Sequence, residues 1–129
     1  IQTPGQAVDA LKQSGCDGVM VGRGLVGAPW GLYNIIQAVD GKPAVPLTDG
    51  QKLGVALEHY RDTVAFYPPK KGLRVARKHL AGYVDNAPDI LEPEERSTLK
   101  SQICQSVNPA EVEALLTRAY GAKPAVLAA

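Results

Sequence analysis

Three apolar residues between glycines, Val19-Met20-Val21, constrain this chain more than any other feature. They have the pattern of a short strand, Gly18 to Val21, buried on both faces as in a parallel sheet with helices around it. A helix start precedes it: Thr3-Pro4-Gly5-Gln6 offers a hydroxyl N-cap, a proline at the first helical position and a glutamine three residues after the cap. Val8 and Leu11 would face a core, and Gly15 is placed to end that helix in a left-handed conformation. Helix, strand, glycine turn and helix is the order of an α/β unit, whose strand must pair with parallel neighbours. No second convincing strand follows, so the neighbours are expected upstream of Ile1 in a longer protein, and the lack of an initiator methionine agrees with a fragment.

Gly22-Arg23-Gly24 closes the strand with bare backbone and one permanent cation. Small residues let backbone N–H groups approach an anion, and arginine presents a forked donor suited to phosphate oxygens. Phosphate binding at the carboxyl end of a strand is the chemistry this arrangement offers, and an ordinary turn is the alternative.

The chain has 129 residues, room for one ordinary domain or part of something larger, and a net charge of +1, so any nucleic-acid surface must come from local clustering. Cys16 and Cys104 are too few for a disulfide framework and stand in no metal-ligand spacing, and His59 and His79 are distant from both in sequence. No metal site is expected. Without a signal-like start, or an apolar run near the ~20 residues that span a bilayer, the chain reads as cytoplasmic and not membrane-bound.

Ala28-Pro29-Trp30 begins a second helix, with Pro29 at its first position and Trp30, Tyr33, Ile35 and Ile36 forming an apolar surface up to Asp40. Gly41 stops it, and Lys42 to Leu47, with two prolines, is an extended connector. Everything beyond reads as helical. Thr48-Asp49-Gly50-Gln51 repeats the capping pattern ahead of Leu53, Ala56, Leu57, Tyr60, Val64 and Tyr67, and Pro68-Pro69 ends that helix. Another helix runs from about Lys71 to Val84 with Leu73, Ala76, Leu80, Tyr83 and Val84 on one arc. A third runs from about Glu94 to Ser106 with Leu99 and Ile103 inward. The fourth, capped at Asn108, buries Val112, Leu115, Leu116, Ala119 and Tyr120 before Gly121 ends it. Four amphipathic helices with short proline-marked loops suggest a compact bundle. Residues 122–129 have nothing to bury and are expected to be a disordered tail.

Lys70, Lys71, Arg74, Arg77 and Lys78 stand in the second of these helices without one acid among them. At 100° per residue they form a stripe beside the arc of Leu73, Ala76 and Leu80. Like charges at this spacing cost a few tenths of a kcal/mol per pair, and a polyanion would offset that cost. The alternative is a solvated face whose cations pair with Asp85, Asp89, Glu92, Glu94 or Glu95 downstream. His79 lies toward the far edge of the apolar arc and reads as a satisfied core histidine. Tyr83, on the apolar arc, reads as packing more readily than as a base-stacking residue.

Two segments together resemble the tRNA-dihydrouridine synthase family, in the bacterial subfamily once called nitrogen-regulation proteins. Gly15 to Trp30, G-x-D-x-V-M-V-G-R-x-x-x-G-x-P-W, is similar to that family's last barrel strand and following helix. Lys71 to His79 is similar to its K-G-x-R-x-A-R-K-H segment. With the intervening lengths, the resemblance covers Ile1 to about Tyr120. It implies a mainly α chain: residues 1–41 as the C-terminal end of an FMN-binding (β/α)8 barrel (a TIM barrel), and residues 42–121 as a four-helix bundle that grips tRNA.

The reaction implied for the intact enzyme is an FMN-dependent reduction of uridine in tRNA to 5,6-dihydrouridine, with NADPH as reductant and a cysteine as acid. Ile1 would fall at the end of strand seven. Gly22 and Arg23 match the family's phosphate-binding pair at the end of strand eight, the standard phosphate corner of such barrels. Lys70, Lys71, Arg74, Arg77 and Lys78 would contact RNA. The family's catalytic cysteine precedes a proline in an upstream loop; Cys16 precedes Asp17 and Cys104 falls in the third bundle helix, so no catalytic residue is assigned and the fragment is expected to be inactive by itself. The unpaired strand edge would favour self-association. A freestanding helical RNA-binding or interaction module is the alternative, opposed by the buried strand. A (β/α)8 enzyme acting on a small phosphorylated substrate is opposed by the five-cation stripe.

Overall fold

The computed structural model describes residues 1–127 and is helical: six α-helices and one 3-10 turn, with no strand among the described residues. The chain divides into two compact units, Ile1–Leu47 and a second that begins at Thr48.

In the first unit, α1 (Pro4–Ser14) begins with the expected capping box: the Gln6 amide donates to Thr3 Oγ1, and Gln6 Oε1 accepts from the Thr3 amide. Gly15, at φ 68°, ends it in the left-handed region. Beyond Gly15 the expectation fails. Residues 18–22 form no strand; Met20 is 81 % exposed and Val19 and Val21 are only half-buried. The physical reason is that a strand is stable only when its N–H and C=O groups pair with a neighbour, and among the described residues no other strand supplies partners. Arg23–Leu25 is a single 3-10 turn, and α2 (Gly31–Val39) starts two residues later than expected, because Pro29 and Trp30 form a turn before it. The packing of this unit rests on α1 against α2, with Ala7 and Ile35 buried. The connector is tied back to α2 by the Lys42 amide, which donates to Gln37 O at 2.7 Å, and the Val45 amide, which donates to Asn34 Oδ1 at 2.9 Å.

The second unit contains α3 (Asp49–Phe66), α4 (Pro69–Asp85), α5 (Pro93–Gln105) and α6 (Pro109–Tyr120). Thr48 makes a second complete capping box, Pro69 and Pro93 occupy first positions, and Gly121 at φ 57° closes α6. Their inner faces share one core: Leu53, Leu57, Leu80, Tyr83, Leu99, Ile103 and Leu116 are each at most 3 % exposed. Gly72 is where α4 crosses α3 at backbone distance, since a Cβ there would stand 3.1 Å from Val64 Cα. Arg96 of α5 donates to the carbonyls of Val84, Ala87 and Pro88 at 3.2, 3.2 and 2.8 Å, covering the negative end of α4 with a cation. Arg61 of α3 grips Glu113 of α6 through both carboxylate oxygens, at 2.8 and 2.7 Å.

Of the segment expected to be a disordered tail, residues 122–127 are described and residues 128–129 lie outside the described residues. The described part returns to α3, where the Ala125 amide donates to Gly50 O at 2.9 Å. Gly50 and Gly54, one turn apart, leave the backbone of Lys123 and Ala125 no room for a Cβ beneath it. Gly54→Ala is therefore expected to release residues 123–127 while raising the intrinsic helix propensity of α3 by about 1 kcal/mol. Limited proteolysis reads the result as faster cleavage in the tail with no fall in the urea midpoint. Equal resistance in both proteins would show that the contact does not hold in solution.

Candidate nucleic-acid interface

The α4 stripe is built by the register of one helix. Gly72, Ala76, Leu80, Tyr83 and Val84 face the core, and Lys70, Lys71, Arg74, Arg77 and Lys78 fall on the outside, all five exposed. Lys70 and Lys71 stand in the first turn of α4, where the helix dipole adds positive potential. Among the described residues none of the five makes an ion pair. Of the five downstream acids named above, three are engaged elsewhere: Lys100 donates to both oxygens of Asp85 at 2.7 and 2.8 Å, Arg96 to Asp89 at 3.3 Å, and Arg118 to Glu95 at 2.6 Å, while Glu92 and Glu94 make no ion pair among the described residues. Nothing on α4 itself opposes the stripe until Asp85 at the helix end.

At its N-terminal end the stripe meets two aromatic rings. Lys71 Nζ sits 5.4 Å from the centroid of the Tyr67 ring, a cation–π distance, and Tyr67 meets Phe66 edge to face at 5.0 Å. Phe66 is 81 % exposed. It was not singled out in the sequence, yet a signal was there: Phe66 comes nine residues after buried Leu57, which at 100° per residue is the opposite side of α3.

Behind the stripe lies a small polar cluster that the sequence did not reveal. His59 of α3 and His79 of α4 meet at 4.7 Å between ring centroids, and His59 Nδ1 shares a 2.8 Å hydrogen bond with the Tyr83 hydroxyl. Tyr83 is 1 % exposed, and Tyr120 donates to its carbonyl at 2.9 Å, so Tyr83 is packing rather than a base platform. Burial pushes the Tyr83 hydroxyl up to about 12. Burial first, then the His59 ring and the Lys78 cation, hold the His79 imidazole below its ordinary 6.5. A histidine whose folded pKa is lowered binds fewer protons than in the unfolded chain. Its contribution is thus complete above about pH 6.5 and falls away as pH drops below it. Denaturation of the 129-residue chain is expected to show a midpoint that declines from pH 7 toward pH 5.5, with a smaller decline in His79→Gln; identical declines would assign the effect to other groups.

The other sequence-derived pair, Gly22 and Arg23, opens the 3-10 turn of the first unit, and both are exposed. Their surroundings differ from those of Gly24, where a Cβ would collide with the backbone of Ile1 and Gln2. A Cβ at Gly22 would have only Met20 Sδ nearby, at 3.8 Å. Neither the packing of this chain nor a positive φ demands a glycine at position 22. Cys16 is exposed; Cys104 is partly covered, with Sγ 3.7 Å from Arg77 O, and burial raises its thiol pKa and keeps it protonated. No group of three or more His, Cys, Asp or Glu side chains is placed to hold a metal ion among the described residues, and no helix there is long and apolar enough to cross a membrane.

Comparison with known proteins gives one answer. The family model described as Dihydrouridine synthase (Dus) matches residues 1–123. A probable tRNA-dihydrouridine synthase of Rhodobacter capsulatus is 38 % identical over 117 residues, covering 90 % of this chain and 34 % of that protein. One from Mycobacterium leprae is 35 % identical over 122 residues, covering 92 % and 30 %. One from Rickettsia bellii is 40 % identical over 90 residues, covering 67 % and 27 %. The chain spans about a third of the length of the curated relatives it matches.

Proposed function

This chain belongs to the dihydrouridine synthase family, and from that premise we propose that it is the C-terminal, tRNA-gripping part of a cytoplasmic tRNA-dihydrouridine synthase. The observation that carries the proposal is the α4 stripe: five exposed cations with no ion pair among the described residues, beside acids already taken by Lys100, Arg96 and Arg118. Such a surface suits the phosphates of a folded RNA, which release counterions as each is neutralised. In this reading residues 1–41 complete a (β/α)8 barrel whose other strands give Gly18–Val21 its missing partners, and residues 42–121 form the helical RNA-binding bundle. A freestanding helical module is disfavoured by the family match running through both units, not by a buried strand, since none forms here.

The flavin phosphate suits Gly22 and Arg23: open backbone at one, and at the other an exposed guanidinium that can bind two oxygens at once. FMN, reduced by NADPH, supplies the hydride for the C5–C6 bond of uracil when bound. The part this chain plays is to hold that phosphate and the tRNA. The acid that protonates the uracil is proposed to come from another part of the barrel, because Cys16 and Cys104 both lack the following proline of the family's cysteine and Cys104 is packed against α4.

Titration of tRNA into the 129-residue chain over a salt series tests the reading. Binding that weakens steeply as salt rises supports an RNA grip; absence of binding even at low salt would overturn it.

A further inference from the structure

We infer that Phe66 is a stacking platform for an unpaired RNA base, set at the edge of the α4 phosphate track. The inference rests on the reading that this surface binds RNA, and it assigns the base contact that the stripe itself lacks. Phe66, 81 % exposed at the end of α3, presents a flat aromatic face to solvent next to the cationic helix. Its position is fixed on one side by the edge-to-face contact with Tyr67 and by Pro68-Pro69, which stiffen the turn into α4. Tyr67 in turn holds Lys71 over its face, so ring, ring and ammonium form a continuous path from Phe66 to a cation in the first turn of the stripe. Arg74, Arg77 and Lys78 continue that path along α4.

Cationic side chains that follow a backbone, with an aromatic face beside them, are the parts from which single-stranded nucleic acid sites are made. The nearest acid on α3 is Asp62, one turn before Phe66, which lines the same open hollow. That one acid stands against the five exposed cations of α4, and the excess of positive charge favours RNA over an apolar protein partner as the occupant.

The test uses the 129-residue chain as wild type, Phe66→Ala and Phe66→Tyr. The probes are a single-stranded RNA oligonucleotide carrying one 2-aminopurine, and a blunt RNA duplex of equal length. Expected is a loss of about 5- to 150-fold in single-strand affinity for Phe66→Ala, the range that base–aromatic stacking covers. Its salt slope and duplex affinity should match wild type, its 2-aminopurine quenching should vanish, and Phe66→Tyr should restore both affinity and quenching. The exposed site makes the alanine variant safe for the fold, which a thermal melt checks. If Phe66→Ala binds and quenches as wild type does while the salt slope stays steep, stacking is overturned and the cationic grip stands. If the variant instead loses only self-association in sedimentation, the ring is a protein contact and the inference fails. If wild type binds neither probe at low salt, both readings fall together.

Discussion

Changing Arg74, Arg77 and Lys78 together to alanine is expected to reduce the dependence of log affinity on log salt for tRNA by about 2 to 3, and to weaken binding roughly 100-fold or more near 0.1 M salt. The magnitude follows from counting: three phosphates no longer neutralised, at about 0.7 to 0.9 in slope for each. Three exposed side chains are removed, none in an ion pair among the described residues, so no acid is left without its partner. Folding should be unharmed. Removing like charges at three- and four-residue spacing relieves a few tenths of a kcal/mol per pair, so the melting temperature should hold or rise slightly. That combination separates the proposal from its alternative. A solvated face would leave the slope unchanged, and a structural role would lower the melting temperature. The measurement is fluorescence anisotropy with labelled tRNA at several salt concentrations, beside a thermal melt of each protein.

Leu116→Ala is expected to cost the helical unit about 2 to 5 kcal/mol. Leu116 is fully buried on α6, which packs on both α3 and α5, and deleting its isobutyl group leaves a cavity that three helices must close at once. Domains of this size hold only about 5 to 15 kcal/mol in total, and each kcal/mol shifts the melting temperature by about 4 to 8 °C. A fall of about 10 °C or more should follow. A drop of only a few degrees would show that α6 is held mainly by surface contacts such as Arg61 with Glu113. The same variant checks the RNA result, because a loss of affinity through unfolding would be accompanied by a lowered melt, whereas the stripe variant should lose affinity with its melt intact.

Local chemistry was legible in the sequence and the long-range consequences were not. The capping boxes at Thr3 and Thr48 and the left-handed glycines at 15 and 121 are written in residues three or four apart, and the structure forms each where the pattern stands. The outward register of the α4 cations is equally local, since one helix sets it. The strand at Gly18–Val21 could not be judged in this way: its apolar run is real, but a strand depends on neighbours that a window of residues cannot supply. For the same reason the contact between His59 and His79, twenty residues apart on two helices, had no signature in spacing.

The sequence by itself therefore determined where the helices start and stop, the start of α2 excepted, which side of α4 is charged, and, through two motifs, the family. Those properties depend on interactions within a turn or two of the chain. Only the tertiary structure decided that Lys100, Arg96 and Arg118 draw Asp85, Asp89 and Glu95 away from the stripe, that Gly50 and Gly54 receive the backbone of residues 123–125, and that Phe66 stands in water against Tyr67, whose ring carries Lys71. Each of these depends on which helix faces which, and that is settled by burying the apolar arcs of α3 to α6 together, after the local elements have already been fixed.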